Sequence, residues 1–193
     1  MAPHRPFAEA ELPLEFRDGI PDELQILLRD YPRDDWPSHP DFNGLTAFWL
    51  ERHMTFRKLM KLMRSDSESL VDRTMDPSVY KQRLARLGTT FVGQLKGHHQ
   101  IEDDQYFPML EAMEMRLQRG FEMLDRDHHE LDRLLHDFAD GANLALLADD
   151  DLLLRDAVGV FRADLLDFDR MLERHLTDEE DLLMPVILKH KVG

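Results

Sequence analysis

Residues 95–110 read LKGHHQIEDDQYFPML, and residues 172–187 read LERHLTDEEDLLMPVI. The two segments share one pattern at an offset of 77 residues: a histidine, a glutamate four positions later, and a proline six positions after the glutamate. The histidine–glutamate pairs are His98 with Glu102, and His175 with Glu179. A spacing of four places two side chains one above the other on the same face of a helix. The repeat therefore predicts two related helices, each carrying one such pair.

The second pair lies on the apolar stripe of its predicted helix. The stripe recurs in steps of three and four residues, which is typical of one helix face. Its members are Phe161, Leu165, Phe168, Leu172, His175, Glu179 and Leu182. The histidine and the glutamate thus occupy core positions, where an unpaired carboxylate is very unfavourable. Two such carboxylates facing one core need cations between them, and a pair of metal ions meets that need.

Two lone histidines occupy the stripes of the other two predicted helices. His53 and His128 each lie four residues after one apolar stripe residue and three before the next. The separation from His53 to His98 is 45 residues, and from His128 to His175 it is 47. The chain is thus two helical hairpins of matching design. Folding with approximate two-fold symmetry would bring four imidazoles and two carboxylates together.

The residue types in this set suit a site for two metal ions. The chain contains no cysteine, so a metal site must use nitrogen and oxygen ligands. Imidazole and carboxylate together favour iron, manganese or zinc. Two glutamates can bridge two ions about 3.5–4 Å apart, with the histidines capping the ends. The candidate ligands are His53, His98, Glu102, His128, His175 and Glu179.

The hydrophobic pattern predicts an all-α protein, an antiparallel up-down four-helix bundle with an irregular N-terminal arm. The four amphipathic segments are residues 41–64, 76–107, 115–138 and 149–183. Asp76-Pro77 is a start signal, because aspartate caps a helix and proline suits its first position. Residues 65–75 are predicted as a polar connector, and Asp140-Gly141 is expected to close the third helix.

Prolines mark the boundaries of these regions. Seven of the ten fall in the first forty residues. Residues 1–40 are therefore predicted to form the N-terminal arm, with a possible short helix at residues 21–29, and residues 41–193 the helical domain. Pro108 is expected to end or kink the second helix, and Pro185 to perturb the fourth.

Length and charge exclude several classes of partner. The 193 residues suffice for one compact domain with a sizeable core. A net charge of −15 repels phosphate backbones, so we expect no nucleic-acid partner. Neither a membrane-spanning apolar run nor a secretory signal is recognisable, so we expect no membrane partner and a cytoplasmic location.

The other histidines and one further glutamate need separate interpretations. His99 lies one step off the repeat, and we interpret it and His129 as surface residues or as supports around the ligands. The histidines expected to be solvent-exposed are His4, His39, His136 and His190. Glu180 is an alternative ligand on the fourth helix, although both the core periodicity and the repeat favour Glu179.

These residues resemble the hemerythrin-like, or HHE cation-binding, family over about residues 45–188. That family has a lone histidine on helix one, H-x-x-x-E followed by proline on helix two, a histidine on helix three, and H-x-x-x-E or H-x-x-x-x-D on helix four. The resemblance implies a four-helix bundle with two carboxylate-bridged metal ions, with iron as the expected metal. It assigns the same six ligands, and the two glutamates would be the bridges.

Two branches of that family differ in their remaining residues. Oxygen-carrying members add a second histidine on helix three, in the form H-x-x-x-H, where this chain has Asp132. The four-histidine, two-glutamate set is closer to di-iron repair-of-iron-centres proteins, which are linked to nitric oxide, oxidative stress and repair of iron–sulfur clusters. Many of those proteins carry an N-terminal domain with a cysteine, whereas the sequence here contains no cysteine and has a different N-terminal arm.

Several functions remain open on this pattern. The leading hypothesis is a di-iron protein that binds or reacts with oxygen or nitric oxide, because six ligands leave two ions short of a full set. Alternatives are redox enzymology, iron donation for iron–sulfur repair, and a metal or gas sensor that acts through a protein partner. A zinc-filled or vestigial site is the remaining reading. The sequence does not decide whether the protein is an enzyme.

Overall fold

The computed structural model describes residues 13–42 and 44–192, and regular structure in these ranges is helical throughout. The helices are α1 (Gly44–Val71), α2 (Pro77–Ile101), α3 (Phe107–Met113), α4 (Gln118–Leu147) and α5 (Asp151–His190). A π-helical turn, Glu102–Tyr106, joins α2 to α3. The all-α prediction is therefore confirmed for the described part of the chain, with four long helices and one short one.

The N-terminal arm contains only short helical pieces where it is described. Two 3₁₀ segments occur, at Leu14–Phe16 and Arg33–Ser38. The possible helix at residues 21–29 is instead a run of hydrogen-bonded turns, in which the amide of Leu24 donates to the carbonyl of Pro21 at 2.8 Å. The first twelve residues, with His4, lie outside the described ranges.

Aspartate side chains cap two helix starts, and the first of them is the predicted cap Asp76. The carboxylate of Asp76 accepts hydrogen bonds from the amides of Ser78 and Val79 at the start of α2. The carboxylate of Asp150 accepts from the amides of Leu152 and Leu153 at the start of α5. These amides have no partner within their helices, so each cap supplies one.

Two helices extend beyond their predicted ends. Helix α1 continues through the predicted connector to Val71, because the buried Asp66 and Ser67 find polar partners on α2. Arg83 donates to Asp66 at 2.7 Å, and the hydroxyl of Tyr80 lies 3.1 Å from that of Ser67. Polar residues that indicated a connector are thus satisfied by tertiary contacts.

Helix α4 likewise continues past Asp140-Gly141 to Leu147. A β-carbon at Gly141 would lie 2.8 Å from Cδ2 of Phe161 on α5. The glycine therefore permits close packing of two helices and does not mark a helix end.

The two repeat prolines have different consequences. Pro185 lies inside α5, which runs on to His190. Pro108 lies in the first turn of α3, where its missing N–H is tolerated. The second predicted helix, residues 76–107, is divided, because α2 ends at Ile101 and the π-helical turn follows.

The long helices enclose two apolar clusters. Helix α1 packs against α2 and α5, and α4 also packs against α2 and α5. The first cluster is rich in phenylalanine and includes Phe56, Phe91, Phe138, Phe161 and Phe168. The second adds arm residues to helix residues and includes Ile20, Leu24, Leu27, Trp36, Trp49, Phe121 and Leu183. Along the chain, each candidate ligand lies between a residue of one cluster and a residue of the other, so the ligands form a buried polar layer.

None of the described helices combines the length and the apolar character that crossing a membrane requires.

Candidate metal centre

The structure brings all six candidate ligands into the polar layer between the apolar clusters. Five of them are at most 2% exposed, and the side chain of His98 is 9% exposed. The described residues form two groups whose potential donor atoms lie within 4.8 Å of one another. The first group is His53, His98, Glu102 and Glu179, and the second is His99, His128 and His175.

The first group joins α1 and α2 to α5. Nε2 of His53 lies 3.4 Å from Oε1 of Glu179 and 3.0 Å from Nε2 of His98. Nε2 of His98 lies 3.0 Å from Oε1 of Glu102. Two imidazole nitrogens and two carboxylates thus face the same small volume.

The two glutamates also reach the second group. Oε2 of Glu102 lies 3.4 Å from Nε2 of His128, and Oε2 of Glu179 lies 3.5 Å from Nε2 of His175. Each carboxylate therefore points one oxygen at each group. This is the arrangement that bridging carboxylates need.

His99 is the residue whose position the sequence interpretation missed. It is 4% exposed and belongs to the second group, so the surface alternative for His99 is wrong, whereas its other interpretation, as a support around the ligands, stays a prediction. The error came from transferring the periodicity of α5 to α2. On α2 itself, His99 lies four residues after the buried Leu95 and three before Glu102, which is core spacing. Because α2 packs against both α1 and α4, neighbouring positions on it can both face inward.

The other histidines within the described ranges do not belong to either group. The side chain of His129 is 79% exposed, and His136 and His190 are exposed as expected. His39 was expected to be exposed, but it is half-buried and contacts the ring of Tyr31.

Several buried atoms at the centre have no hydrogen-bond partner among the described residues. They are Nδ1 and Nε2 of His99, both carboxylate oxygens of Glu102, Nε2 of His128, Nε2 of His175 and Oε2 of Glu179. Buried polar atoms normally find partners, because leaving one unpaired costs free energy. Unpaired nitrogen and oxygen atoms that converge on one volume are what metal cations satisfy, so the residues present fit a metal site.

The two central carboxylates have opposed electrostatics. Burial, together with the nearby Glu179, raises the pKa of Glu102 well above its usual range. Burial also favours the neutral form of Glu179, but His53 and the neighbouring imidazoles outweigh it and lower the pKa of Glu179 well below its usual range. Two buried carboxylates this close resist joint ionisation unless cations lie between them.

The buried histidines also differ in the direction in which their pKa values are shifted. Burial lowers the pKa of His98 to about 3 and that of His99 well below its usual range, which keeps both rings in the neutral form that binds metal. Burial also opposes a charge on His53, yet Glu179 and Glu180 raise the pKa of His53 to about 9. A metal ion binding to His53 must therefore displace a proton.

Three of the rings are oriented by carboxylates on their outer side. Nδ1 of His53 lies 3.0 Å from Glu180, that of His128 lies 2.7 Å from Asp103, and that of His175 lies 3.3 Å from Asp127. An N–H donated to such a carboxylate fixes the tautomer and leaves Nε2 free to face a metal. Glu180 thus lies outside the centre, and Glu179 occupies the position inside it.

A cavity leads from the surface to the first group. Its volume is about 250 Å³, and it lies between α1 and α2 beside His98 and Glu102. Trp49 lines it and donates from Nε1 to Oε1 of Glu179 at 2.5 Å. Tyr106 meets the indole of Trp49 edge to face, with ring centroids 4.5 Å apart. A small molecule could therefore approach the first group between aromatic walls.

An all-helical fold with a buried layer of histidines and glutamates defines the class of non-haem metal-binding helical proteins. Residues 44–187 match the family model described as the hemerythrin HHE cation binding domain. That match covers most of the chain, so the protein belongs to the hemerythrin HHE cation-binding family. Membership implies non-haem metal binding, typically of iron, and such domains bind small ligands such as oxygen. Comparison with curated proteins and with solved structures gave no significant match.

Proposed function

We propose that this protein holds two iron ions and binds or reacts with oxygen or nitric oxide. The observation that carries the proposal is the placement of Glu102 and Glu179, each with one oxygen toward either donor group. Carboxylates so placed suit a pair of ions that they bridge. The proposed ligands are the six that the sequence predicted, His53, His98, Glu102, His128, His175 and Glu179, together with His99.

The candidate ligands would divide unequally between two ions. The first group offers the imidazoles of His53 and His98, whereas the second offers those of His99, His128 and His175. With both glutamates shared, these side chains supply fewer donor atoms than two six-coordinate ions accept. A small ligand therefore has positions to occupy, and the cavity beside His98 gives it a route.

Bound iron would supply redox chemistry and affinity for a diatomic ligand, and the chain's own residues set its surroundings. The apolar clusters on both sides of the polar layer exclude bulk water. Trp49 holds Oε1 of Glu179 by a hydrogen bond, and the outer carboxylates hold three of the histidines. The residues thus preorganise a dry, nitrogen-rich site.

The proposal extends to the architecture around the site. We infer that the four long helices run as an antiparallel up-down bundle within a domain of residues 41–193, preceded by the arm of residues 1–40. Short connections between α1 and α2 and between α4 and α5 support this topology. A cytoplasmic location without nucleic-acid partners fits the net charge of −15.

Metal analysis with an optical spectrum tests the proposal. Protein purified from iron-replete cells should contain about two irons per chain. Glu179→Gln should lose most of that iron, because it removes a shared carboxylate. Glu173→Gln, on the exposed face of the same helix, is the control and should keep it. Less than about one iron per wild-type chain, or equal iron in Glu179→Gln, would contradict a carboxylate-bridged pair.

A second experiment distinguishes the proposed function from its alternatives. Nitric oxide or oxygen added to the reduced protein should change its optical spectrum, and the change should saturate at one molecule per metal site. If the protein instead donates iron for cluster repair, a clusterless acceptor should gain iron from it. A sensor would show neither turnover nor transfer, but would bind a protein partner in only one metal or redox state.

A further inference from the structure

An arginine of the N-terminal arm is buried against two acidic side chains of the helices. Arg17 is only 6% exposed, and its Nε donates to Oδ2 of Asp178 at 2.6 Å. Its Nη1 donates to Oδ1 of Asp127 at 3.2 Å, and its Nη2 donates to Oδ2 of the same carboxylate. A guanidinium fork of this kind fixes the plane and position of the carboxylate it holds.

The carboxylate held by Arg17 is the one that orients a proposed metal ligand. Oδ2 of Asp127 lies 3.3 Å from Nδ1 of His175, and Nε2 of that ring lies 3.5 Å from Glu179 at the centre. A chain of contacts thus runs from the arm through Asp127 to the second donor group.

A second arm arginine makes an equivalent chain to the first donor group. Nη1 of Arg33 donates to Oε2 of Glu180 at 2.7 Å, and Oε1 of Glu180 lies 3.0 Å from Nδ1 of His53. Arg33 is anchored further through Nε to Asp181 at 2.6 Å and through Nη2 to the carbonyl of Thr177 at 2.8 Å. The arm therefore reaches one histidine in each donor group.

We propose that the N-terminal arm is a working part of the metal centre, in which Arg17 and Arg33 position Asp127 and Glu180 and thereby orient His175 and His53. Docking of the arm and binding of metal then strengthen each other. The inference rests on the proposed metal site. A metal ion on Nε2 makes the opposite N–H a stronger donor to its carboxylate, and a coupling between two binding events acts equally in both directions.

The loss of Arg17 should weaken metal binding more than the loss of Arg33. Removal of Arg17 takes away the hydrogen bonds that it donates to both carboxylate oxygens of Asp127, a residue that is only 3% exposed. Glu180 keeps a second arginine when Arg33 is removed, because Nη1 of Arg57 donates to its Oε1 at 2.7 Å. Arg17 is therefore the stronger positioning residue.

The first test is titration of the metal-free protein with cobalt(II), an optical probe for nitrogen and oxygen sites. Arg17→Gln should weaken the affinity for one of the two ions by roughly 10–100-fold, the range found for outer partners of metal ligands, and Arg33→Gln by a smaller factor. Arg64→Gln is the control, because its side chain is 39% exposed like that of Arg33 and pairs with Asp169 on α5. It should bind cobalt as the wild type does.

The second test needs no substitution, so it stands even if Arg17→Gln fails to fold. Backbone amides of residues 14–38 should exchange hydrogen more slowly in the cobalt-loaded wild type than in the metal-free protein. Unchanged exchange, or variants that bind cobalt as tightly as the wild type or more tightly, would overturn the role of the arm. Wild-type protein that binds no cobalt would instead overturn the proposed metal site and this inference together.

Discussion

The ring of His99 on α2 stacks on the ring of His128 on α4, with centroids 4.0 Å apart and planes 12° apart. His128 is held from outside by Asp103, whereas both nitrogens of His99 are buried without a hydrogen-bond partner among the described residues. Stacking therefore holds an imidazole without a hydrogen-bond partner among the described residues in place within the second group, which suits the ligand role proposed for it.

Replacing His99 with phenylalanine should keep the stacked ring and remove its nitrogens. We expect His99→Phe to lose one metal ion or to bind it at least roughly tenfold more weakly, while the helices remain folded. Metal content and a cobalt titration measure this, with the circular dichroism spectrum as the check on folding. The control is His129→Phe, at an exposed position of α4. Two ions bound with wild-type affinity in His99→Phe would rule out a ligand role.

The phenylalanine-rich first cluster should contribute much of the stability through packing. Phe168 is 1% exposed, and its ring centroid lies 5.6 Å from that of Phe91 and 6.1 Å from that of Phe138. Phe168→Ala should lower the free energy of unfolding by about 3–5 kcal/mol, because it leaves a cavity in a close-packed core. Urea unfolding of metal-free protein measures the loss.

Val160→Ala on the exposed face of α5 is the comparison for Phe168→Ala, and it should change the free energy of unfolding by less than about 0.5 kcal/mol. A loss below about 1 kcal/mol in Phe168→Ala would contradict the packing described for this cluster.

Two helix glycines should respond oppositely to alanine. A β-carbon at Gly159 would meet nothing within 4 Å, so Gly159→Ala should stabilise the protein by about 0.5–1 kcal/mol through helix propensity. A β-carbon at Gly141 would lie 2.8 Å from the ring of Phe161, which is itself buried. Gly141→Ala should therefore destabilise by about 1–3 kcal/mol.

The melting temperatures of the two glycine variants provide the measurement. Equal stabilisation by both substitutions would mean that α4 and α5 do not approach closely at Gly141.

An acidic residue at the end of α3 should contribute pH-dependent stability. Glu114 is 5% exposed and bonds Arg116 and Lys189. The hydrogen bond from Arg116 and the charge of Lys189, against the opposing effect of burial, lower the pKa of Glu114 to about 2. Because the folded pKa lies below the unfolded value, the contribution is present above about pH 4.3 and is lost as the pH falls toward 2.

Glu114→Gln should therefore cost about 1–2 kcal/mol at pH 7, a modest value because Arg116 is more than half exposed. The difference from wild type should shrink as urea unfolding is repeated between pH 5 and about pH 2.5. Glu122→Gln, at an exposed position of α4, is the control. A cost that does not change with pH would exclude the ion pairs as its source.

Local periodicity alone placed most of the candidate site. The repeat around His98 and His175 and the stripe positions of His53 and His128 report which side of each helix faces inward. That side follows from 3.6 residues per turn, so it can be read before the helices are packed. The same periodicity predicts that the carboxylates of Glu102 and Glu179 face inward, where a cation would neutralise them.

Only the tertiary structure decided which neighbour each inward side meets. The second inward position of α2, His99, depends on contact with both α1 and α4, and the length of α1 depends on partners that α2 supplies to Asp66. Arg17 and Arg33 lie far from the site in the chain, in a proline-rich segment without helical periodicity. Their contacts with Asp127 and Glu180 arise because the described part of the arm, residues 13–40, packs against the helices. Spacing along the chain carries no information about such long-range packing.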